Sequence, residues 1–198
     1  MKASIILAHP NQGSFNHAIA QTAVTELVRL GHHVAFHDLY AEGFDPVLPK
    51  GEAREDVVLP PFLEEHCREI CSADGIVVVH PNWWGQPPAI MKGWIDRVFR
   101  PGRAYRFLEG DKGEGIPVGL LKAKAVLVFN TANTPSEREQ EEFGDPLERL
   151  WKDCLFSFCG VRTFQRVMFT VIVTSTPEQR QQWLDQAGDM VRRHFPAD

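Results

Sequence analysis

The chain has 198 residues, 43% of them hydrophobic, a formal net charge of −5 and a pI near 5.9. This length and apolar content predict one compact domain over residues 1–198. The acidic balance and scattered basic residues exclude a nucleic-acid binder, which carries a Lys/Arg face. The lack of any apolar run of about 18 residues argues against membrane insertion.

The opening Met-Lys-Ala-Ser-Ile-Ile-Leu-Ala is too short as an apolar stretch for a leader and runs straight into a loop, so it reads as a first strand over 3–8. The loop holds His9, Gly13 and Ser14. A helix over 15–30 follows, with Phe15, Ala18, Ile19, Thr22, Ala23, Leu27 and Leu30 at helical spacing and Gly31 as its stop. A strand that ends at a helix N-terminus leaves backbone N–H groups free beside the positive end of the helix dipole. In α/β folds the anion held there is often a cofactor phosphate.

A second strand is expected over 33–38, an irregular segment over 41–56, a helix over 57–73 and a strand over 75–80. Ile76-Val77-Val78-Val79 is a continuous apolar run, as is Ala125-Val126-Leu127-Val128-Phe129 in a strand expected over 124–130. Strands of a parallel sheet covered on both faces read that way. Between them lie the loop His80–Ala89, a helix over 88–99 and a second irregular segment, 100–122, carrying Tyr105 and Phe107. Arg97, Arg100, Arg103 and Arg106 are read as solvent-facing or as cations at the helix C-terminus, with binding of an anionic ligand as the alternative. A helix over 146–159 and a strand over 166–173 follow. Ser175-Thr176-Pro177-Glu178 then supplies the cap, proline and acid that open a last helix over 177–195.

Five strands alternating with five helices make an open α/β domain, whose ligands bind beyond the C-terminal ends of the strands. Three loops lie there. His9–Asn16 supplies the anion site. His80-Pro81-Asn82-Trp83-Trp84-Gly85-Gln86-Pro87-Pro88 offers two flat rings, facing different sides, and a backbone stiffened by prolines and free to bond a planar ring system. Asn130-Thr131-Ala132-Asn133-Thr134-Pro135 is small and hydrogen-bonding, so a polar heterocycle edge can approach it. A phosphate site, an aromatic wall and a polar rim together suit an isoalloxazine with a phosphorylated ribityl tail.

Other chemistries find less support. No GxSxG elbow is present. Gly113-x-Gly115-x-x-x-Gly119 has the wrong spacing for a dinucleotide fingerprint and no strand before it. His32, His33 and His37 span a helix-to-strand turn and are not expected to share a metal. Cys67, Cys71, Cys154 and Cys159 contain no CxxC and are read as reduced structural residues of a cytoplasmic protein. The acidic run Glu137–Glu142 reads as a solvated face.

Ala8-His9-Pro10, Ser14-Phe15-Asn16-His17-Ala18, Asp38-Leu39-Tyr40-Ala41 with Phe44-Asp45-Pro46, Pro81, Trp84, Pro88–Phe99 around Lys92-Gly93-Trp94-Ile95-Asp96-Arg97, Ala104-Tyr105 and Phe158-Cys159-Gly160 occur in one order along most of the chain. In these pieces it resembles the flavodoxin-like NAD(P)H:quinone oxidoreductases, the group of the mammalian quinone reductases, bacterial modulators of drug activity and ancillary proteins of potassium-efflux systems. The resemblance implies a five-stranded parallel sheet of order 2-1-3-4-5 with helices on both faces. It implies a flavin, FAD before FMN, with NADH or NADPH as donor and a quinone or similar flat aromatic as acceptor. His9, Ser14, Phe15, Asn16 and Ala18 then fall at the flavin phosphate region. Pro81, Asn82, Trp83 and Trp84 fall at the isoalloxazine, and Asn130, Thr131, Ala132, Asn133 and Thr134 close over the ring. Trp84, Tyr105 and Phe107 line the substrate pocket, the last two in the partner's site if the chain forms the family's homodimer.

One departure stands out. The family's Thr-Thr-Gly-Gly loop and the Tyr and His after it are replaced by Asn-Thr-Ala-Asn-Thr-Pro, and neither Tyr nor His occurs between 130 and 160. Asn133, Arg138 or a backbone N–H is left to take their part. The alternatives are a flavin-binding accessory subunit of a potassium-efflux system and a flavodoxin-like electron carrier.

Overall fold

The computed structural model describes residues 1–108, 115 and 117–197. In chain order the elements are β1 (Lys2–Leu7), α1 (Phe15–Arg29), β2 (His33–Asp38), α2 (Pro61–Ser72), β3 (Gly75–Pro81) and α3 (Ala89–Val98). A small hairpin, β4 (Tyr105–Arg106) and β5 (Val118–Gly119), precedes β6 (Ala125–Ala132) and α4 (Ser136–Glu141). Then come α5 (Pro146–Glu148), which runs on into a π-helix (Arg149–Ser157), β7 (Thr163–Thr170), a 3-10 turn (Ile172–Thr174) and α6 (Pro177–His194).

The main sheet has five parallel strands in the order β2-β1-β3-β6-β7. Because β4 and β5 form a separate two-stranded sheet, this is the expected 2-1-3-4-5 arrangement. Alternation along the strands feeds two cores. Ile5, Leu7, Val77, Val79, Leu127 and Phe129 meet Ile19, Ala23 and Leu27 of α1 and Ala187 and Val191 of α6. Ile6, Ile76, Val78, Val126 and Val128 meet Leu63 and Cys67 of α2, Met91 and Trp94 of α3, and Trp151 and Phe156 of the π-helix.

Several sequence expectations are corrected. The second helix starts at Pro61 rather than 57, since the residue before a proline is driven to extended backbone and Pro60 sits at φ −56, ψ 145. The last strand begins at Thr163, three residues early, because Thr163–Gln165 pair with Ala125–Leu127, a long-range register that the polar Thr163 and Gln165 conceal. The two-residue strands of the hairpin and the all-polar α4 carry no hydrophobic period, and neither was expected.

Arg97 and Arg100 do not face solvent; both are buried. Arg97 Nε and Nη2 donate to the two carboxylate oxygens of Glu52 at 2.7 and 2.8 Å, and Nη1 donates to the Asp45 carbonyl at 2.6 Å. Arg100 donates to the carbonyls of Glu52 and Arg54. The two arginines bind the 45–54 segment to α3. The same close approach explains Gly93, where a Cβ would collide with the Pro46 backbone.

All four cysteines are free. Burial pushes the thiols of Cys67 and Cys159 up to about 12, so they are inert core groups, whereas Cys154 is exposed.

Candidate functional site

The loops after β1, β3 and β6 meet at the C-terminal edge of the sheet. Ala8 N–H donates to the Val79 carbonyl and Asn82 N–H to the Thr131 carbonyl, which ties each loop to the next. Between them lies a cleft of about 320 Å³ lined by His9, Ser14, Phe15, Asn16, Pro81, Asn82, Trp83, Thr131, Ala132, Asn133 and Thr134, with Ile172 at its rim. Eleven of the predicted cofactor residues therefore share one cavity; Ile172, which follows β7, was missed because no local pattern singles it out.

Ser14 is the N-cap of α1 and accepts the His17 backbone N–H. Its Oγ also lies 2.8 Å from His17 Nδ1, and His17 Nε2 lies 3.1 Å from Asp38 Oδ2 at the end of β2. Asp38 Oδ1 accepts the N–H groups of Tyr40 and Ala41, which fixes the carboxylate. His9 Nδ1 accepts the Asn11 N–H, and burial holds its pKa below the ordinary imidazole value.

The β3 loop folds back as a two-residue hairpin turn. Trp83 and Gln86 exchange N–H···O=C bonds at 3.0 Å, with Trp84 at φ 58 and Gly85 at φ 70. The rings do part as expected. Trp83 lines the first cleft near His9, while Trp84 is 100% exposed at an adjoining cleft of about 430 Å³ that shares Asn82 and Thr134. Gly85, Arg138, Glu139, Phe143 and Pro146 form the rest of this second cleft. Arg138 bonds Glu142 and lays its guanidinium 5.6 Å from the Phe143 ring centroid. Glu139 breaks the expected solvated face: it is only 4% exposed. Its buried position on a short polar helix leaves no mark in sequence periodicity.

Asn130 lies beneath the clefts rather than on them, because β6 continues to Ala132. His80 Nδ1–H donates to the Pro81 carbonyl at 2.8 Å, so Nε2 is free to accept from Trp151 Nε1–H at 2.9 Å and from Asn130 Nδ2 at 3.0 Å. With two donors aimed at Nε2, the ring stays neutral; burial lowers its pKa to about 4. Asn130 Oδ1 accepts from Arg166 Nη1, and Arg166 is held in turn by Asp145 and Glu148. The Asn130 side chain is spent on this support.

Three other predicted residues line neither cleft. Ala18 sits a turn further along α1, and Tyr105 and Phe107 pack against each other and, through Tyr105, against Phe158. Asn133 Oδ1 is committed to the Val173 N–H. Gly113 of the glycine spacing lies outside the described residues, and Gly119 belongs to β5.

The three histidines considered for a metal separate: His32 bonds the Phe195 carbonyl and His33 is exposed. His37 instead gathers with Glu42 and His66, ligand-type atoms within 4.8 Å. The Trp94 indole N–H points at His66 Nδ1, which places the His66 proton on Nε2 toward Glu42. Both His37 nitrogens face carboxylates, Glu42 and Glu69. These carboxylates raise the His37 pKa against the opposing effect of burial, and Glu42, also against burial, is brought down to about 2 by its bonds to His37 and His66. This is an ion-pair cluster with its ring lone pairs already committed.

The fit of a flavin is tested by what the first cleft leaves unpaired. Among the described residues Asn16 Oδ1 and Asn82 Oδ1 are buried acceptors without a donor, although Asn16 Nδ2 is satisfied by Thr131 Oγ1 at 2.9 Å. Such orphans are rare in a finished core and mark a place where a ligand donor belongs. The hydroxyls of a ribityl chain and the imide N–H of a flavin are donors of the required kind.

A family model described as a flavodoxin-like fold matches residues 1–195, and the chain belongs to that family, among its NAD(P)H oxidoreductases. It is 31% identical to an uncharacterized NAD(P)H oxidoreductase of Haemophilus influenzae over 204 residues, covering 100% of this chain and 97% of the relative. It is also 31% identical to the NAD(P)H dehydrogenase [quinone] 1 of Cavia porcellus, covering 90% of this chain and 72% of the relative. A crystal structure of a Streptococcus mutans protein, 33% identical, superposes with a TM-score of 0.84 over 98% of this chain and 100% of that one.

Proposed function

We propose that this chain is a flavin-dependent NAD(P)H oxidoreductase that passes two electrons as hydride from NADH or NADPH, by way of flavin N5, to a quinone or a similar flat aromatic acceptor. The observation that carries the reading is the three-loop cleft with its two orphan acceptors, Asn16 Oδ1 and Asn82 Oδ1, opening onto a second cleft under an exposed tryptophan. The flavin supplies the two-electron chemistry; the protein binds, orients and excludes water.

His9, Ser14 and the α1 N-terminus face the phosphate. Phe15, Asn16, Thr131 and Ala132 line the tail, and Pro81, Asn82, Trp83, Asn133 and Thr134 take the ring. Trp84 and Phe143 offer apolar surface to nicotinamide and acceptor in turn. Arg138, at the second cleft beside Glu139, would supply the cation next to the ring in place of the family's Tyr and His. We take FAD over FMN as the cofactor, a homodimer as the working form with Tyr105 and Phe107 reaching the partner's site, and, from the free thiols, the cytoplasm as the setting.

The test starts from the purified protein, which should be yellow. Released cofactor should have the mass of FAD, and anaerobic NADH or NADPH should bleach the absorbance. A chain that stays colourless after adding FMN and FAD overturns the reading.

A further inference from the structure

Ser14, His17 and Asp38 form a hydrogen-bonded chain that the sequence did not single out. Ser14 Oγ is 2.8 Å from His17 Nδ1, and His17 Nε2 is 3.1 Å from Asp38 Oδ2. The protons in this chain follow from its ends. A carboxylate oxygen only accepts. Asp38 therefore requires a proton on His17 Nε2, and its own orientation is locked by the N–H groups of Tyr40 and Ala41. A neutral His17 then has a lone pair on Nδ1, and the Ser14 hydroxyl must donate to it. Because Ser14 Oγ also accepts the His17 backbone N–H, the hydroxyl turns only a lone pair toward the cleft. A phosphate oxygen, itself an acceptor, is repelled there.

One added proton reverses the polarity. On Nδ1 it donates to Ser14 Oγ, and the Ser14 O–H swings free to donate to an anion. The imidazolium so formed lies between the Asp38 carboxylate and the bound anion, each favouring the charged form. The other neutral tautomer would also free the Ser14 proton, but it puts a bare Nε2 lone pair against the carboxylate 3.1 Å away. Among the described residues the titratable groups facing the ring are Asp38 from β2 and His9 from the loop before α1. His9 stands edge-on at 6.2 Å, and burial lowers its pKa from the ordinary imidazole value.

We infer that His17 and Asp38 are positioning residues that set the donor state of Ser14, so that the cofactor's phosphate binds with uptake of one proton on His17. The inference rests on the flavin reading of the cleft and adds a condition to it: the flavin-bound chain holds a proton on both ring nitrogens of His17, one toward Asp38 and one toward Ser14.

The experiment is titration calorimetry of flavin-stripped full-length chain with FAD, and separately with FMN, at about pH 8, above the ordinary imidazole range, in two buffers of different ionisation enthalpy. The native chain should take up about one proton per flavin, and its affinity should fall about tenfold per pH unit once His17 is neutral in the free protein. Asp38→Asn decides the mechanism. The amide can donate to Nε2, so the tautomer with Nδ1–H becomes available. This variant should bind flavin with no proton uptake and a flat pH profile. Imidazole NMR of the native chain gives the same answer without any variant: flavin should convert His17 from the singly to the doubly protonated ring. Flavin binding without proton uptake, with the His17 ring unchanged, overturns the inference and leaves the flavin site standing. Failure of both flavins to bind the native chain at any pH overturns the cofactor reading itself.

Discussion

Trp84 is held in a backbone conformation that costs free energy, and its ring recovers none of it by packing. It sits at φ 58 in a two-residue turn beside Gly85 at φ 70. That mirror-image turn favours Asn-Gly, and a bulky residue there is strained by about 1–3 kcal/mol. The ring is fully exposed, so what the strain achieves is placement at the second cleft. Trp84→Asn should raise unfolding stability by about 1 kcal/mol, since Asn tolerates the left-handed region, and should raise KM for the acceptor while flavin content is unchanged. Thermal melts and steady-state kinetics on the same preparations check both signs. A lower melting temperature would mean that the ring packs on the protein.

At the scale of elements, the long 41–56 connection is held by α3 through charges taken out of water. Arg97 keeps all its strong bonds to Glu52 and the Asp45 carbonyl in a buried setting. Removing one partner of such a pair strands the other charge, at a cost of about 3–5 kcal/mol. Glu52→Ala should lower unfolding free energy by that amount in urea titrations and should open the 44–56 segment to limited proteolysis. Glu52→Gln, which keeps one acceptor for Arg97, should lie between Glu52→Ala and the native chain. This contact also marks where sequence reading stops. Ile76–Val79 and Ala125–Phe129 announce buried parallel strands, because a face-to-face covered strand has no polar side to show, and the loops they end in contain most of the first cleft. Arg97 reads as a helix-end cation because Glu52 is 45 residues away, and Asp38 is 21 residues from His17 with no shared period. The Trp84-Gly85 turn lacks the Asn-Gly signature, and α4 lacks an apolar stripe. Partnerships set by tertiary approach leave no local pattern, whereas those set by strand and helix period do.

Taken whole, one protomer leaves its second cleft open on the side of Trp84 and keeps Tyr105 and Phe107 elsewhere. Both rings belong to the β4 strip, packed edge-to-face with each other and, through Tyr105, with Phe158; Phe107, Leu108 and Phe158 also remain in part exposed. The proposed homodimer requires this apolar strip to cover the partner's cleft if rings remote from their own site are to serve the acceptor. Sedimentation should give two copies per particle, and Phe107→Ala should raise acceptor KM severalfold with flavin content intact. Complementation separates a partner's contribution from an indirect one. Asn16→Ala should empty the flavin cleft, because it removes the buried amide that joins Thr131 and faces the tail. Mixing it with Phe107→Ala makes heterodimers in which the only loaded site receives a native Phe107 from the Asn16→Ala chain. Those mixtures should recover the native KM at the loaded sites; a KM that stays at the Phe107→Ala value would place the action of Phe107 within its own chain.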